Sequence, residues 1–206
     1  MMGPLLLAGA LGYLLGSVPF GLLLVRLSGG GDIRAIGSGN IGATNVLRTG
    51  KKSIAAATLL LDALKGLVAV LLGGWLGQAS GVAPLAASVA AVCVVLGHCF
   101  PLWLSFKGGK GVATGLGALV GLCWPVGLAC ALLWLGAARA SRISSVGALT
   151  AFLAAPLLMA IVWLWSHDAT PAPVVATLAV TLIVMLRHHA NIKRLVAGVE
   201  PRVGQK

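Results

Sequence analysis

Acidic residues are scarce in this sequence. Only 4 of its 206 residues are Asp or Glu, whereas 15 are Lys or Arg, and charged residues of both signs make up 9% of the chain. A metal-dependent phosphatase or phosphatidyl-group transferase typically holds its metal with several clustered carboxylates. Because this chain has so few carboxylates, we predict neither a metal site nor a cofactor.

Several signatures of other protein classes are missing as well. No G-x-S-x-G elbow and no H-E-x-x-H pair occurs, so the sequence does not indicate a serine hydrolase or a zinc protease. His98 is not followed by the aspartate of an H-x4-D acyltransferase motif, since Trp103 stands at that position. There is no C-x-x-C pair, and the cysteines lie in or beside apolar runs, so we interpret them as packing residues. They are Cys93, Cys99, Cys123 and Cys130.

The chain is instead rich in apolar residues. They make up 59% of the sequence and the mean hydropathy is +1.02, which is typical of an integral membrane protein and too apolar for a soluble domain. The net charge of +11 fits cytoplasmic loops beside anionic lipid and a site for an anionic substrate, so we expect no nucleic acid partner. We predict a single membrane domain over residues 1–206, and the sequence leaves its oligomeric state open.

Apolar runs of about 20 residues predict the membrane spans. The run over 112–138 is too long for one helix and too short for two full ones, and Pro125 lies at its middle. Because short loops rich in Lys and Arg stay in the cytoplasm, Lys110 and Arg139 place both ends of this run on one face. We therefore predict two short helices that meet near Pro125, although a single tilted helix would give six spans instead of seven. The full prediction is an all-α polytopic protein with seven transmembrane helices, two of them short, an outside N-terminus and a cytoplasmic C-terminus; the other spans are 4–26, 54–76, 82–104, 146–165 and 172–187.

The most polar stretch is residues 32–51, DIRAIGSGNIGATNVLRTGK. Closely spaced glycines allow a turn whose N–H groups converge on an anion, and short amide, hydroxyl and guanidinium side chains beside such a turn suit a phosphate. The alternative is a flexible basic connector between two helices. The candidate substrate-binding residues in this stretch are Gly37, Ser38, Gly39, Asn40, Thr44, Asn45 and Arg48.

A second polar stretch, residues 97–115, combines Lys107 and Lys110 with Gly108 and Gly109. A permissive backbone beside ammonium groups again suits a phosphate, but this is not a Walker A loop, because Lys110 is followed by glycine and not by Ser or Thr. The alternative is that the lysines anchor a helix end to lipid headgroups. His98, at the start of the stretch, is either a ligand or base, or a core histidine bonded to a backbone carbonyl.

Two shorter polar clusters follow. Arg142 and Ser145 lie one helical turn apart, and Ser145 is either a helix cap or part of a site. His188 and Asn191 are three residues apart and share a helical face if the helix continues through them. Glu200 is the only acidic residue in the C-terminal segment, and the sequence predicts no role for it.

Asp62 and Lys65 lie three residues apart inside a predicted span. Ionisable residues in a membrane helix are costly, so they normally face the interior of the bundle and pair with one another or serve a site. The sequence leaves open whether they form a structural ion pair or part of the polar pocket.

Taken in order, these motifs resemble the bacterial acyl-phosphate:glycerol-3-phosphate acyltransferase family. The resemblance covers nearly the whole chain, and the departures are minor: Ile143 stands where an aromatic residue is usual, and His189 where Arg or another residue is often found. The matching stretches are GSVPFG at 16–21, DIRAIGSGNIGATNVLRTGKK at 32–52, DALKG at 62–66, GHCFPLWLSFKGGKGVAT at 97–114, Arg142 with Ser145, and RHHANIKRL at 187–195 with the G-x-E that ends at Glu200.

The resemblance implies a seven-helix enzyme of the bacterial inner membrane with its active site on the cytoplasmic face. It would transfer an acyl group from a long-chain acyl phosphate to the 1-hydroxyl of glycerol 3-phosphate, yielding lysophosphatidic acid and phosphate. Seven residues match family positions around the substrates: Ser38, Arg48, Lys107, Arg142, Ser145, His188 and Asn191. Of these, Ser38, Lys107, Ser145, His188 and Asn191 are predicted to be catalytic, and Arg48 and Arg142 are predicted to bind phosphate together with Gly108, Gly109 and Lys110.

Acyl phosphate is already activated, so the sequence predicts catalysis by positioning and charge stabilisation without a covalent acyl-enzyme. The proton of the attacking hydroxyl goes either to His188 or to a substrate phosphate, with His188 and Asn191 as orienting residues; the resemblance favours the second. The alternative function is a membrane transporter for a phosphorylated or anionic solute. A transporter would place polar residues through the full depth of the bilayer, whereas here, apart from Asp62 and Lys65, they collect at one face.

Overall fold

The structure is a computed structural model that describes residues 2–166 and 170–203. Within those residues it is all-helical. Its α-helices are α1 Met2–Gly16, α2 Phe20–Leu27, α3 Ala43–Leu47, α4 Lys52–Gln78, α5 Ala83–Cys99, α6 Val112–Leu122, α7 Trp124–Ser141, α8 Ser144–Ser166, α9 Ala172–Arg187 and α10 His189–Val196. Short 3₁₀ turns at Ile33–Ala35 and Leu102–Leu104 lie in the connections.

Four helical segments of the described chain are long and apolar enough to cross a membrane: Met2–Leu27, Lys52–Gln78, Ala83–Leu104 and Ser144–Ser166. The pair α9 and α10, bent by 59°, forms a fifth if both belong to one span. The predicted spans 54–76, 82–104 and 146–165 coincide with three of these segments, and the predicted span 172–187 coincides with α9. The count of seven spans and their orientation stay predictions.

The break predicted near Pro125 is confirmed. The short apolar helix α6 ends at Leu122, Cys123 has extended backbone, and α7 begins at Trp124. Pro125 lies in the first turn of α7, where its missing N–H costs no hydrogen bond. At 18 residues, however, α7 is longer than the short helix that was predicted.

The segment Met2–Leu27 covers the predicted span 4–26, but the backbone leaves the helix between Gly16 and Phe20, a break that was not predicted from the sequence. Proline disfavours helical backbone in the residue before it, and Pro19 follows Val18 directly. Distant side chains satisfy the carbonyls at this break. Lys65 Nζ donates to the Val18 carbonyl at 2.8 Å, and Trp103 Nε1 donates to the Ser17 carbonyl.

Helix packing brings the loops at one end of the bundle together. α5 packs against α1, α4 and α9; α4 also packs against α6, and α8 lies between α7 and α9. Small residues allow close approach: a Cβ on Gly117 of α6 would collide with the Ala63 carbonyl of α4. The apolar core between these helices includes Phe152, Leu119, Val94 and Val184.

The connection between α2 and α4 is a folded unit, not the flexible connector considered from the sequence. It encloses a separate small apolar core made of Leu22, Val25, Ile33, Ile41, Val46 and Ala55. Lys51 Nζ donates to the Ser28 carbonyl at 2.6 Å and thereby joins the two ends of the loop. We call residues 28–51 the first loop.

Candidate active site

Side-chain hydrogen bonds join the four polar segments that the sequence separates widely. Thr44 Oγ1 of the first loop lies 3.2 Å from Ser144 Oγ at the start of α8. Lys110 Nζ, in the connection before α6, donates to Asn191 Oδ1 of α10 at 2.7 Å. The polar clusters therefore lie at one end of the bundle, next to one another.

Glu200 links two of these segments, at α8 and α10. Its Oε1 accepts a 2.7 Å hydrogen bond from Ser145 Oγ and a short one from Asn191 Nδ2, and its Oε2 accepts from Arg194 Nε at 2.6 Å. Burial alone would raise the pKa of the Glu200 carboxyl, but these hydrogen bonds and the charge of Arg194 together hold it below its ordinary value. Glu200 is therefore an anionic acceptor that ties the chain after α10 to α8.

The sequence singled out Ser145 but not its partner. Ser145 is buried in the first turn of α8, and its hydroxyl points to Glu200, so the structure favours the site role over helix capping. Arg142 precedes it at the end of α7 in left-handed backbone with φ 61°. The Arg142 side chain is exposed, while its carbonyl accepts a 2.7 Å hydrogen bond from the N–H of Val203.

Positive charge collects around Lys110. Burial lowers the pKa of its ammonium to about 8; Glu200 acts in the opposite direction, while Arg194, Arg48 and Arg187 lower the pKa further. Lysines shift in this way when they lose water and face like charges. Three arginines thus lie close enough to Lys110 to lower its pKa, beside the carboxylate of Glu200, and an anion bound here would balance the excess positive charge.

Carboxylates and metal-binding side chains do not cluster in the same way. Among residues 2–166 and 170–203, no group of three or more His, Cys, Asp or Glu side chains is arranged to hold a metal ion. That the protein uses no metal or cofactor stays a prediction.

Asn45 shapes the first loop from inside. It is 2% exposed, its Oδ1 accepts from the Ser38 N–H at 3.0 Å, and its Nδ2 donates to the carbonyls of Ile33, Ile36 and Asn40 at 3.1, 2.9 and 2.9 Å. Its amide is fully engaged by the loop backbone. The structure thus shows Asn45 holding the loop backbone, and its contact with substrate stays a prediction.

The glycines of the first loop serve its backbone conformation. Gly37 and Gly39 have φ of 56° and 67°, a region that residues with a side chain rarely adopt. The N–H of Gly39 donates to the Ile36 carbonyl. Gly37 also makes room for a neighbour, since a Cβ there would lie 3.0 Å from Cδ of Arg48.

Polar side chains on the outside of the first loop remain candidates for substrate contact. Ser38, Thr44 and Arg48 are exposed. Asn40 is half-buried, and its Oδ1 accepts a 3.2 Å hydrogen bond from the Gly42 N–H. Substrate binding by these residues stays a prediction.

Phosphate binding by Gly108 and Gly109 stays a prediction, and the structure shows how their N–H groups are bonded. The N–H of Gly108 donates to the Cys99 carbonyl at 3.1 Å, and that of Gly109 donates to the His98 carbonyl at 3.0 Å. Both donors are therefore already used within the protein. Lys107, just before them, has an exposed side chain and remains a candidate for contact with substrate.

Arg187, which the sequence did not single out, holds the same glycines from the other side. Its Nε and Nη2 donate to the carbonyls of Gly109 and Gly108, each at 3.0 Å, and its guanidinium lies 5.1 Å from the centre of the Phe100 ring. Planar bidentate donation of this kind is specific to arginine. A basic residue at the last position of α9 was the available signal, but its partners lie 78 and 79 residues away in sequence.

His188 and Asn191 lie at the bend between α9 and α10, so the helix does not continue straight through them. Both are buried, at 2% and 6% exposure. His188 Nδ1 lies 2.8 Å from the Val184 carbonyl, which can only accept, so the hydrogen is on Nδ1 and the neutral ring keeps a lone pair on Nε2. The site thus contains a histidine nitrogen able to accept a proton or a hydrogen bond.

Comparison with known proteins places this arrangement in a family. The family described as glycerol-3-phosphate acyltransferase matches residues 6–198. A glycerol-3-phosphate acyltransferase of Gluconobacter oxydans (strain 621H) is 61% identical over 97% of this chain and 93% of its own length. One from Rhodopseudomonas palustris (strain BisB5) is 52% identical over the full length of both proteins.

Solved structures agree with these relatives. The fold is similar to the glycerol 3-phosphate form of PlsY (YgiH), an integral membrane glycerol 3-phosphate acyltransferase, with a TM-score of 0.86, 35% identity, and coverage of 98% of this chain and 96% of that one. The lysophosphatidic acid form gives a TM-score of 0.84 and 34% identity, over 97% and 95% of the two chains. With its long apolar helices, this chain is a multi-pass integral membrane protein. It belongs to the glycerol-3-phosphate acyltransferase family.

Proposed function

We propose that this protein transfers an acyl group from a long-chain acyl phosphate to the 1-hydroxyl of glycerol 3-phosphate. The products are lysophosphatidic acid and inorganic phosphate. The observation that carries the proposal is the group of cations around Lys110. Arg48, Arg187 and Arg194 lie close enough to Lys110 to lower the pKa of its ammonium group. Both proposed substrates carry a phosphate, and the names of the solved relatives mention glycerol 3-phosphate and lysophosphatidic acid.

The choice of acyl phosphate as donor is supported by the nucleophiles of the site. Ser145 gives its hydroxyl hydrogen to the Glu200 carboxylate, but the pKa of that carboxyl is held below its ordinary value, so it is a weak base for activating the serine. Among the cysteines, Cys99 and Cys130 are buried. A site of this kind suits a donor that brings its own good leaving group.

The reaction then needs one displacement. The 1-hydroxyl oxygen of glycerol 3-phosphate attacks the acyl carbonyl carbon, a new C–O ester bond forms, and the bond from that carbon to the phosphate oxygen breaks. The leaving phosphate takes the bonding electrons, and a substrate phosphate accepts the hydroxyl proton. Arg48, Lys107 and Arg142 stabilise phosphate charge, and Lys110 stabilises the negative charge that develops in the transition state.

Orientation of the hydroxyl falls to the bend between α9 and α10. The lone pair of His188 Nε2 accepts a hydrogen bond from the attacking hydroxyl, and Asn191 is fixed on both sides by Lys110 and Glu200. Ser38 of the first loop contacts the phosphate of glycerol 3-phosphate. Holding both reactants in line in this way supplies much of the rate without a covalent intermediate.

We place the enzyme in the bacterial inner membrane as a single domain of seven spans, with an outside N-terminus and a cytoplasmic C-terminus. The basic loops support this orientation, since Lys and Arg collect on the cytoplasmic side. The site then lies on the cytoplasmic face, where soluble glycerol 3-phosphate enters from water and the long-chain donor enters from the surrounding lipid.

Purified protein in detergent tests the proposal. With long-chain acyl phosphate and glycerol 3-phosphate together, we expect release of phosphate and an equal amount of lysophosphatidic acid, measured by mass spectrometry. Omission of either substrate should abolish lysophosphatidic acid formation. Equal rates with an acyl thioester as donor would contradict the assignment of acyl phosphate, and no product with any donor would overturn acyl transfer itself.

A further inference from the structure

A buried polar cluster lies next to the site but is not used by the proposed reaction. Asp62 and Lys65, one turn apart on α4, are only 3% and 5% exposed, and Lys65 Nζ lies 2.7 Å from Asp62 Oδ1. Lys65 Nζ also donates to the Val18 carbonyl at the break between α1 and α2. Charged groups buried at such cost are kept where they hold a structure or serve a site.

His98 extends this cluster toward the active site. Its Nδ1 lies 3.7 Å from Asp62 Oδ1 and 3.2 Å from Thr114 Oγ1, and the residue is 4% exposed. The other edge of the ring, Nε2, lies directly against the backbone of Gly109, where an added Cβ would collide with it. The His98 carbonyl accepts the hydrogen bond from the Gly109 N–H. His98 therefore contacts Gly109 through both its ring and its backbone.

The position of Gly109 determines where Lys110 begins. Lys110 follows it directly and reaches Asn191 with a 2.7 Å hydrogen bond, while Arg187 holds the Gly109 carbonyl from the opposite side. A backbone held between His98 and Arg187 has little freedom to shift. Errors of about 1 Å in the placement of a reacting or charge-stabilising group are enough to cost about 100-fold in rate.

We propose that His98 is a positioning residue whose ring, hydrogen-bonded to Thr114 and close to the charge of Asp62, holds the backbone at Gly109 so that Lys110 meets Asn191. The kinetic part of this inference rests on the proposed acyl transfer. The ion pair of Asp62 and Lys65 then has a dual structural role, because it satisfies the helix break at Val18 and supports the His98 ring.

Kinetics in two backgrounds test whether His98 acts through Lys110. We expect His98→Ala to lower kcat/KM about tenfold or more in the otherwise native enzyme, and by no more than about twofold in Lys110→Met, since residues that act as a unit are not additive. An equal loss in both backgrounds would show that His98 acts independently and would overturn the inference. If His98→Ala does not fold, His98→Asn takes its place in the same comparison.

A rescue experiment tests the contact itself. Gly109→Ala should be nearly inactive, because its Cβ meets His98 Nε2, and addition of His98→Asn, which is shorter, should raise the activity of Gly109→Ala about tenfold. A double variant no more active than Gly109→Ala would show that the ring is not what excludes the methyl group.

Hydrogen–deuterium exchange gives a reading that does not depend on acyl transfer. In substrate-free full-length protein in detergent, His98→Asn should speed exchange in the segment 107–111, whose Gly108 and Gly109 N–H groups bond to Cys99 and His98. The control is Thr177→Val, which removes a buried hydroxyl bonded within α9 at the Pro173 carbonyl and should leave that segment unchanged. Unchanged exchange in His98→Asn would overturn the inference, whereas altered exchange in an enzyme without acyl transfer would overturn only the proposed function.

Discussion

Lys110 Nζ donates a 2.7 Å hydrogen bond to Asn191 Oδ1 across 81 residues of sequence. This contact joins the connection before α6 to α10, and the other amide edge of Asn191 donates to Glu200. Lys110, Asn191 and Glu200 therefore form a chain of alternating donors and acceptors. A change in the charge of Lys110 should therefore alter the hydrogen bonds of Asn191 and Glu200 as well.

The first prediction concerns pH. Burial lowers the pKa of Lys110 to about 8, so in the free enzyme the ammonium is charged below that pH and loses its proton as the pH rises through it. We expect kcat/KM, which reports the free enzyme, to fall above about pH 8. Lys110→Arg keeps the charge at all these pH values and should move this alkaline decline upward, whereas Lys193→Arg, on the same face of the bundle, should not. The same decline in Lys110→Arg as in the native enzyme would contradict the assignment.

The second prediction concerns the Glu200 hydrogen bonds. Ser145→Ala removes one donor to the carboxylate and should lower the free energy of unfolding by about 1–2 kcal/mol, as for a hydrogen bond to a charged group. Glu200→Gln should cost more, because it also leaves Arg194 without its counter-charge. The matched control is Ser88→Ala, since the buried Ser88 hydroxyl has no hydrogen-bond partner in the described structure. Thermal unfolding in detergent measures all three, and a loss in Ser88→Ala equal to that in Ser145→Ala would contradict the role given to Glu200.

Local signals predicted part of this structure, and long-range contacts decided the rest. The break before α7 was predicted because Pro125 lies in the middle of an apolar run that is too long for one membrane helix and too short for two. The break at Val18 was missed because the apolar run continues through it. The side chains that satisfy its carbonyls come from Lys65 and Trp103, at separations of 47 and 86 residues.

The site shows the same division. Residue types alone predicted an anion site, and the structure brings three of the predicted residues, Lys110, Arg48 and Asn191, near one another. Residue types could not show that the N–H groups of Gly108 and Gly109 are already bonded to the end of α5. They also could not show that Glu200 connects α8 and α10. Each of these depends on how helices far apart in sequence pack together.

The third prediction concerns the interior of the first loop. Asn45→Ala removes the donor to three carbonyls and the acceptor for the Ser38 N–H, and should destabilise the protein by about 2–3 kcal/mol. Asn45→Asp keeps the acceptor, but its carboxylate cannot donate to the three carbonyl oxygens and repels them. We therefore expect this variant to be no more stable than Asn45→Ala. Limited proteolysis of residues 28–51 and acyl transfer should both report the damage. Asn40→Ala, which loses one half-buried bond to Gly42, is the control for stability and proteolysis only, and a native level of activity in Asn45→Asp would indicate that the loop does not depend on this amide.

The last prediction separates the two candidate proton acceptors. If a substrate phosphate is the base, His188 only orients the hydroxyl, and His188→Gln should retain activity within about 100-fold of the native enzyme, since a general base itself contributes about 10²–10⁴-fold. A loss of activity of more than about 100-fold, with unchanged KM for glycerol 3-phosphate, would instead make His188 the base. His189→Gln is the matched control, because its ring is exposed and bonds to the Leu186 carbonyl of the preceding turn, and it should match the native rate. A loss in His188→Gln that is absent from His189→Gln therefore reports the role of the buried His188 ring, which Val184 holds in place.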